Sequence, residues 1–191
     1  MFILLRSTSG FAEISIAIQP FENVDVNLIV SISESISKEY NNAKIEILNR
    51  IDLPSSAFYK PRNRYRAEKI LKYLNIIKNG KFDKIVGLTD KDISTTLHGH
   101  EDWGVFGLTE KVGGYSCVVS IYRLKKNAND ELLKTRFKKI IIHELGHAFG
   151  LKHCDWSRCV MTEYKGTMKT LDEEQINLCP ICRRKIDGRY K

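Results

Sequence analysis

Apolar residues recur at helical spacing in three stretches of the chain and run or alternate at strand spacing in five others. Phe2–Ser7 reads as a buried strand. Residues Asp25–Tyr40 carry Val26, Ile29, Val30, Ser33, Ile36 and Ser37 along one stripe, which predicts a helix. Lys44–Asp52 alternates imperfectly through Ile45, Ile47 and Ile51 as a second strand, closed by Pro54. A basic segment, KPRNRYRAEKILKYLNIIKNG, runs into a helix with Ile70, Leu71, Leu74 and Ile77 inward and Gly80 as its stop. Lys84–Thr89 is a third strand. The order strand, helix, strand, helix, strand predicts a partly parallel α/β sheet.

The pattern then changes. Gly104–Glu110 and Tyr115–Leu124 are extended runs separated by KVGG, as in a two-strand edge with a short turn. A polar loop leads into a helix from about Asp130 to Phe149. Beyond Gly150 the chain becomes polar and cysteine-rich to its end. This layout predicts one domain over 1–191. An N-terminal subdomain, 1–150, would end with the last long helix, and a small C-terminal subdomain would occupy 151–191.

Composition narrows the function classes. A chain of 191 residues buries a sizeable core without staples. Its longest apolar runs are too short to cross a bilayer. The first residues, MFILLRSTSG, lack the layout of a signal peptide, so a cytoplasmic protein without a membrane partner is expected. The net charge of +8 is spread along the chain. It is read as a solvated basic surface on a monomer, since no nucleic-acid-binding signature accompanies it.

The candidate chemistry lies in His143-Glu144-Leu145-Gly146-His147, which reads H-E-x-x-H. On a helix, positions i and i+4 share one face, so both imidazoles can reach one ion, and Glu144 can touch a water on it. Gly150, at positive φ, would end the helix and turn the chain back. That turn can carry His153 to the same ion. Three of the five histidines fall in this eleven-residue window, H-E-x-x-H-x-x-G-x-x-H. Three neutral imidazoles on Zn²⁺ leave a position open for water and substrate. Zinc lowers the pKa of its bound water toward neutrality, and Glu144 would act as general base in peptide-bond hydrolysis. The bland alternative is a histidine-bearing helix with an ordinary glycine cap.

Cys154 and Cys159 are followed by Cys179 and Cys182 in C-P-I-C. Two close pairs of thiols match a closed, structural Cys₄ zinc site, with disulfides or free thiols as the alternative. The expected cofactors are thus two Zn²⁺ per chain. Lys152, Arg158, Arg183, Arg184 and Lys185 stand nearby in sequence to offset four thiolates. His153 and Cys154, adjacent yet assigned to different ions, require an extended segment with side chains on opposite sides.

The stretch H-E-L-G-H-A-F-G-L-K-H-C-D-W-S-R-C-V-M, followed by C-P-I-C, resembles the archaemetzincin family of metzincin-type zinc peptidases. The resemblance is specific over His143–Cys182. It implies an α+β metzincin-like zincin fold: a twisted mixed sheet with an antiparallel edge strand over the cleft, two backing helices, the active-site helix and a small zinc-stapled C-terminal subdomain. It also implies that Met161 forms a hydrophobic floor beneath the catalytic zinc. Some metzincins place a tyrosine two positions after that methionine; here Glu163 stands there and Tyr164 follows, so Tyr164 receives no catalytic role.

Gly104–Glu110 is the candidate cleft-edge strand, to which a peptide could add by β-augmentation. His98 and His100 are read as loop histidines, with a cleft border or further metal as alternatives, and Cys117 as a small core residue. Access to the cleft is expected to depend on loops around Arg62–Arg66 or His98–Asp102. The chain is therefore expected to be a zinc metallopeptidase acting on peptides or proteins. A zinc-stabilised peptide-binding protein with little turnover is the alternative.

Overall fold

The computed structural model describes residues 13–188 except 22, 41, 42, 165, 166 and 174. The strand expected at Phe2–Ser7 lies outside these residues. The main sheet has five strands in the order β2-β1-β5-β9-β8. They are β1 (Ile14–Pro20), β2 (Ala43–Ile47), β5 (Lys84–Thr89), β9 (Ser116–Ser120) and β8 (Gly107–Thr109). The first four run parallel, and β8 joins the edge antiparallel to β9. The alternation is strict where it matters. Ile14, Ile16 and Ile18 of β1, Val86 and Leu88 of β5, and Cys117 and Val119 of β9 enter one apolar cluster; Ala17, Ile85 and Val118 enter the other. Helices α1 (Val26–Glu39) and α3 (Asp130–Ala148) cover the first face and α2 (Ala67–Lys78) the second. Cys117 is a buried core residue, as expected.

The helical stripe of α1 needs correction. Asp25 caps the helix, its carboxylate accepting from the Asn27 and Leu28 amides. Ile29, Ile32 and Ile36 are buried, whereas Val26 and Val30 are exposed. The inward stripe is centred on Ile32, because α1 packs against both α3 and β2. Helix α2 follows the expected pattern, with Ile70, Leu71 and Leu74 buried and Asn79 and Gly80 at positive φ closing it.

A second sheet, β3-β4-β6-β7, is not evident from periodicity. Its strands are β3 (Phe58–Tyr59), β4 (Arg64–Arg66), β6 (Ile93–Leu97) and β7 (His100–Val105). These strands are short and largely polar. Charge ties them: Arg64 Nη1 donates to Asp102 Oδ2 at 2.9 Å, and its Nε lies 2.8 Å from Asp92 Oδ2. The segments 62–66 and 98–102, expected as separate access loops, are thus bound to each other. The expected single strand Gly104–Glu110 is split at Phe106, its first part belonging to β7 of the small sheet and its second to β8 of the main sheet. The run Tyr115–Leu124 is likewise shorter, ending at Ser120 before a short 3-10 turn over Arg123–Lys125.

After α3 come the short helices α4 (Met168–Glu173) and α5 (Pro180–Asp187). Val160, Met161, Leu171, Leu178 and Ile186 share the apolar cluster of α1 and α3. Glu39, at the end of α1, reaches this segment: its carboxylate accepts from the Leu178 amide at 2.9 Å and pairs with Arg183. Arg183 is therefore engaged with a buried carboxylate of α1, a role that sequence adjacency to the cysteines does not foresee.

Candidate active site

Helix α3 carries both imidazoles of the H-E-x-x-H motif in its last two turns, capped at its start by Asn129. Its end is a Schellman motif. Gly150, at φ +88°, donates to the His147 carbonyl, and Leu151 donates to the Gly146 carbonyl at 2.9 Å. The reversal brings His153 back over the helix. His143, His147 and His153 each offer a ring nitrogen, and these nitrogens lie within 4.8 Å of one another. The Nε2 atoms of His143 and His147 are 3.0 Å apart. Two nitrogens on one tetrahedral zinc stand about 3.3 Å apart.

The other ring nitrogens fix the orientation. His143 Nδ1 donates to the Val160 carbonyl and His147 Nδ1 to the Leu151 carbonyl, each at 2.8 Å. Both Nε2 lone pairs are thereby left for an ion. Burial, and then the neighbouring His147, push the His143 imidazole down to about 3, so it is neutral. Burial also lowers His147. The triad is graded: His143 is buried, His147 half-buried and His153 exposed. The three-imidazole donor set, with Nε2 of His143 and His147 left free, fits Zn²⁺ with one side open.

Met161 is fully buried beneath the helix. A Cβ on Gly146 would stand 2.3 Å from the Met161 Sδ, so the glycine of H-E-L-G-H is what lets the thioether sit there. Tyr164 is buried with its ring centroid 4.6 Å from that of His143. Its hydroxyl donates to the Val160 carbonyl, the acceptor that also holds His143. Tyr164 thus buttresses His143.

Sequence reasoning missed the partners of Glu144. Thr109 of edge strand β8 places Oγ1 at 2.6 Å from Glu144 Oε2 and 2.8 Å from the Glu144 carbonyl. A Cβ on Gly107 would come within 2.8 Å of Glu144 Cγ. The edge strand therefore lies directly on the glutamate, glycine first and hydroxyl two residues on. Burial raises the Glu144 carboxyl to about 7, against the hydrogen bond from Thr109.

A cleft of about 900 Å³ opens on this face, with His143, Glu144 and His153 in its floor. His98 and Trp103 border it. His98 sits at a left-handed turn between β6 and β7, as a loop histidine, whereas His100 is not in a loop: it begins β7, paired with Leu97, and packs on Trp103 at 5.5 Å between ring centroids. Neither joins a potential ligand group among the described residues.

The sulfurs of Cys154, Cys159, Cys179 and Cys182 form a second group within the same 4.8 Å limit. Cys154 Sγ and Cys179 Sγ are 3.9 Å apart, where tetrahedral zinc–thiolate geometry requires about 3.8 Å. No pair of them is joined as a disulfide. Burial raises Cys159 to about 11 and Cys182 further, while amide donors, including that of Cys182 at the start of α5, hold Cys179 below its usual range despite burial. A buried cluster of this kind becomes four thiolates only with a cation among them. His153 and Cys154 serve the two groups from consecutive positions of an irregular segment.

The model of peptidase family M54 matches residues 8–188. The chain belongs to that family. The archaemetzincin of Archaeoglobus fulgidus is 32% identical over 90% of the chain and 98% of its own length. That of Saccharolobus solfataricus is 30% identical over 94% and 96%. Among solved structures, the Methanopyrus kandleri archaemetzincin superposes with a TM-score of 0.79 at 29% identity, covering 92% of this chain and 94% of the other. The A. fulgidus archaemetzincin complexed with malonate gives 0.76 at 31% identity, covering 90% and 99%. The protein is a zinc metallopeptidase of the M54 family with the mixed α/β archaemetzincin fold. No helix among the described residues is long and apolar enough to cross a membrane.

Proposed function

We propose that His143, His147 and His153 hold the catalytic zinc, that Glu144 is the general base of peptide-bond hydrolysis, and that Cys154, Cys159, Cys179 and Cys182 hold a second, structural zinc. Zinc bound by the triad supplies Lewis acidity, which lowers the pKa of water toward 7 and polarises a substrate carbonyl. The observation that carries the reading is the placing of Glu144. Its carboxyl lines the cleft beside His143, and burial holds it at about 7, where a carboxylate can both take and return a proton. Thr109 has two acceptors in reach. It can donate to Oε2 while Glu144 is ionised. It can accept from Oε2 once Glu144 is protonated, its own proton then turning to the Glu144 carbonyl. Glu144 thus keeps one position through both states.

The other parts follow from the same packing. Edge strand β8 has no strand on its outer side among the described residues, so a peptide can pair there, directly above Glu144. Gly150 directs His153, and Met161 supports α3 from below. Residues of both units, 1–150 and 151–191, line this cleft, the second through His153, Glu163, Tyr164 and Met168.

Metal analysis with a peptide-library cleavage assay tests this. The wild type is expected to hold two zincs and to cleave. Glu144→Gln is expected to hold two zincs and lose roughly 10²- to 10⁴-fold in turnover. Two zincs with no cleavage of any peptide by the wild type would instead favour the peptide-binding reading.

A further inference from the structure

The end of the cleft beyond Gly104 is built differently from its floor. Arg123 lies flat on the Gly104 backbone, where a Cβ would fall 2.1–2.6 Å from the guanidinium atoms. Asp92, only 8% exposed, aligns it: Arg123 Nε donates to Oδ1 at 2.7 Å and Nη2 to Oδ2 at 3.0 Å. The same carboxylate takes Arg64 Nε at 2.8 Å, and Asp102 takes Arg64 Nη1. Each guanidinium keeps one terminal nitrogen, Nη1 of Arg123 and Nη2 of Arg64, without an acceptor among the described residues. Lys126 stands exposed on the same wall with no ion pair among the described residues. Three cations thus stand at this end with two carboxylates, Asp92 and Asp102, while Glu144 and Glu163 lie beside the triad. Two guanidinium groups held by a buried acid, over a glycine that admits one of them, form a rigid donor array aimed at a carboxylate.

We infer that this end of the cleft binds a carboxylate of the substrate, so that the enzyme favours peptides with an acidic side chain or a free C-terminus a few residues from the scissile bond. The inference rests on the peptidase reading above. Gly107 of β8 touches Glu144 and Gly104 of β7 touches Arg123, three residues apart in the chain across the bend at Phe106. An extended chain covers at most about 10 Å in that distance. A peptide paired alongside would present its charged group two or three residues from the bond at Glu144. Trp103, Phe106 and Tyr122 line the same cleft and would offer apolar surface to neighbouring residues of the peptide.

The test compares matched peptides on the zinc-loaded protein. One series carries Glu against Gln at each of three positions either side of the bond; the other carries a free against an amidated C-terminus. The two arms separate an acidic side chain from a terminal carboxylate. At least one arm should show roughly five- to tenfold higher kcat/KM for the charged member, the scale of an exposed charge-assisted contact. Lys126→Glu and, separately, Arg123→Gln should bring that ratio toward one or invert it. Binding of the same pairs to Glu144→Gln, read by fluorescence anisotropy, repeats the comparison without turnover. Cleavage with no charge preference in either arm overturns this inference and leaves the peptidase reading standing. A charge preference in binding without cleavage by the wild type overturns the peptidase reading and keeps the carboxylate site. A preference that survives both substitutions assigns it to other residues and overturns the inference as well.

Discussion

The two ligand clusters meet at His153 and Cys154 and otherwise differ in almost every physical respect. The imidazoles of His143 and His147 are placed by one regular helix that is held by the main apolar cluster. Their orientation is set by backbone carbonyls, and burial falls from His143 to the exposed His153. The four sulfurs come from an irregular segment and the start of an eight-residue helix, and three of them are buried. An open side suits an ion that must meet substrate; a closed shell suits one that only holds chain together. The histidine group is built by helix packing before any ion binds. The cysteine group shares the same apolar cluster through Cys159, Cys179 and Cys182 but comes from segments with little regular structure, and we expect it to depend more on a metal.

The sharpest way to break this contrast is to remove each metal in turn. Cys179→Ser/Cys182→Ser should lower zinc content from two to one or fewer and reduce Tm by about 10 °C or more, since structural zinc contributes many kcal/mol to folding. It should also lower peptidase activity, because His153 is tethered through Cys154. His143→Ala should abolish activity with a much smaller change in Tm. Equal Tm losses in the two variants, by calorimetry, would mean that both sites support the fold alike.

A smaller effect probes the floor of the helical site. Gly146→Ala puts a Cβ onto the Met161 sulfur and should cost about 1–3 kcal/mol by overpacking. Adding Met161→Ala should return part of that loss, which a double-mutant cycle in urea would measure. Additive costs would show that Met161 moves aside freely.

Thr109→Val keeps the shape of the edge strand and removes the hydroxyl held against Glu144. We expect roughly tenfold lower kcat with little change in KM, on the scale of one hydrogen bond to a charged group, and recovery in Thr109→Ser. A rise in KM alone would mean that Thr109 contacts substrate rather than positioning the base.

Thr109 also shows what could be read in the sequence and what could not. The i,i+4 histidines, the glycine turn and the cysteine pairs are local patterns, and each stands where its spacing placed it. The partners of Glu144 are 35 residues away in the chain, across the junction of a sheet and a helix. Nothing in a period-2 run marks one threonine as facing a catalytic helix. The small sheet was missed for a related reason. Arg64, Asp92 and Asp102 hold polar strands together by charge, which hydrophobic patterning does not register. In α1 the period was right and the phase was not: exposed Val26 and Val30 look as apolar as Ile32, and only the position of α3 decides which of them is covered.

The mildest test concerns a link that involves neither metal. Arg136, buried at the front of α3, forms a two-pronged pair with Asp172 of α4 at 2.6 and 2.7 Å. Its Nη1 also donates to the Leu124 and Lys126 carbonyls. The hydrogen bonds from Arg136 hold the Asp172 carboxyl below its ordinary value, outweighing its partial desolvation. A carboxyl with a depressed folded-state pKa adds stability above the unfolded-state pKa of about 4, and that stability is lost as pH falls toward the folded-state value. In Asp172→Asn the unfolding free energy should change less between pH 5 and pH 3 than in the wild type. Loss of bound metal in acid would itself change stability, so both proteins need comparison at equal, saturating zinc. At pH 7 the substitution should cost more than an exposed surface pair does, because Arg136 is left buried with its carbonyl partners alone. Parallel pH curves for the two proteins would mean that α4 is held to α3 by apolar contact through Leu171, with the ion pair contributing little.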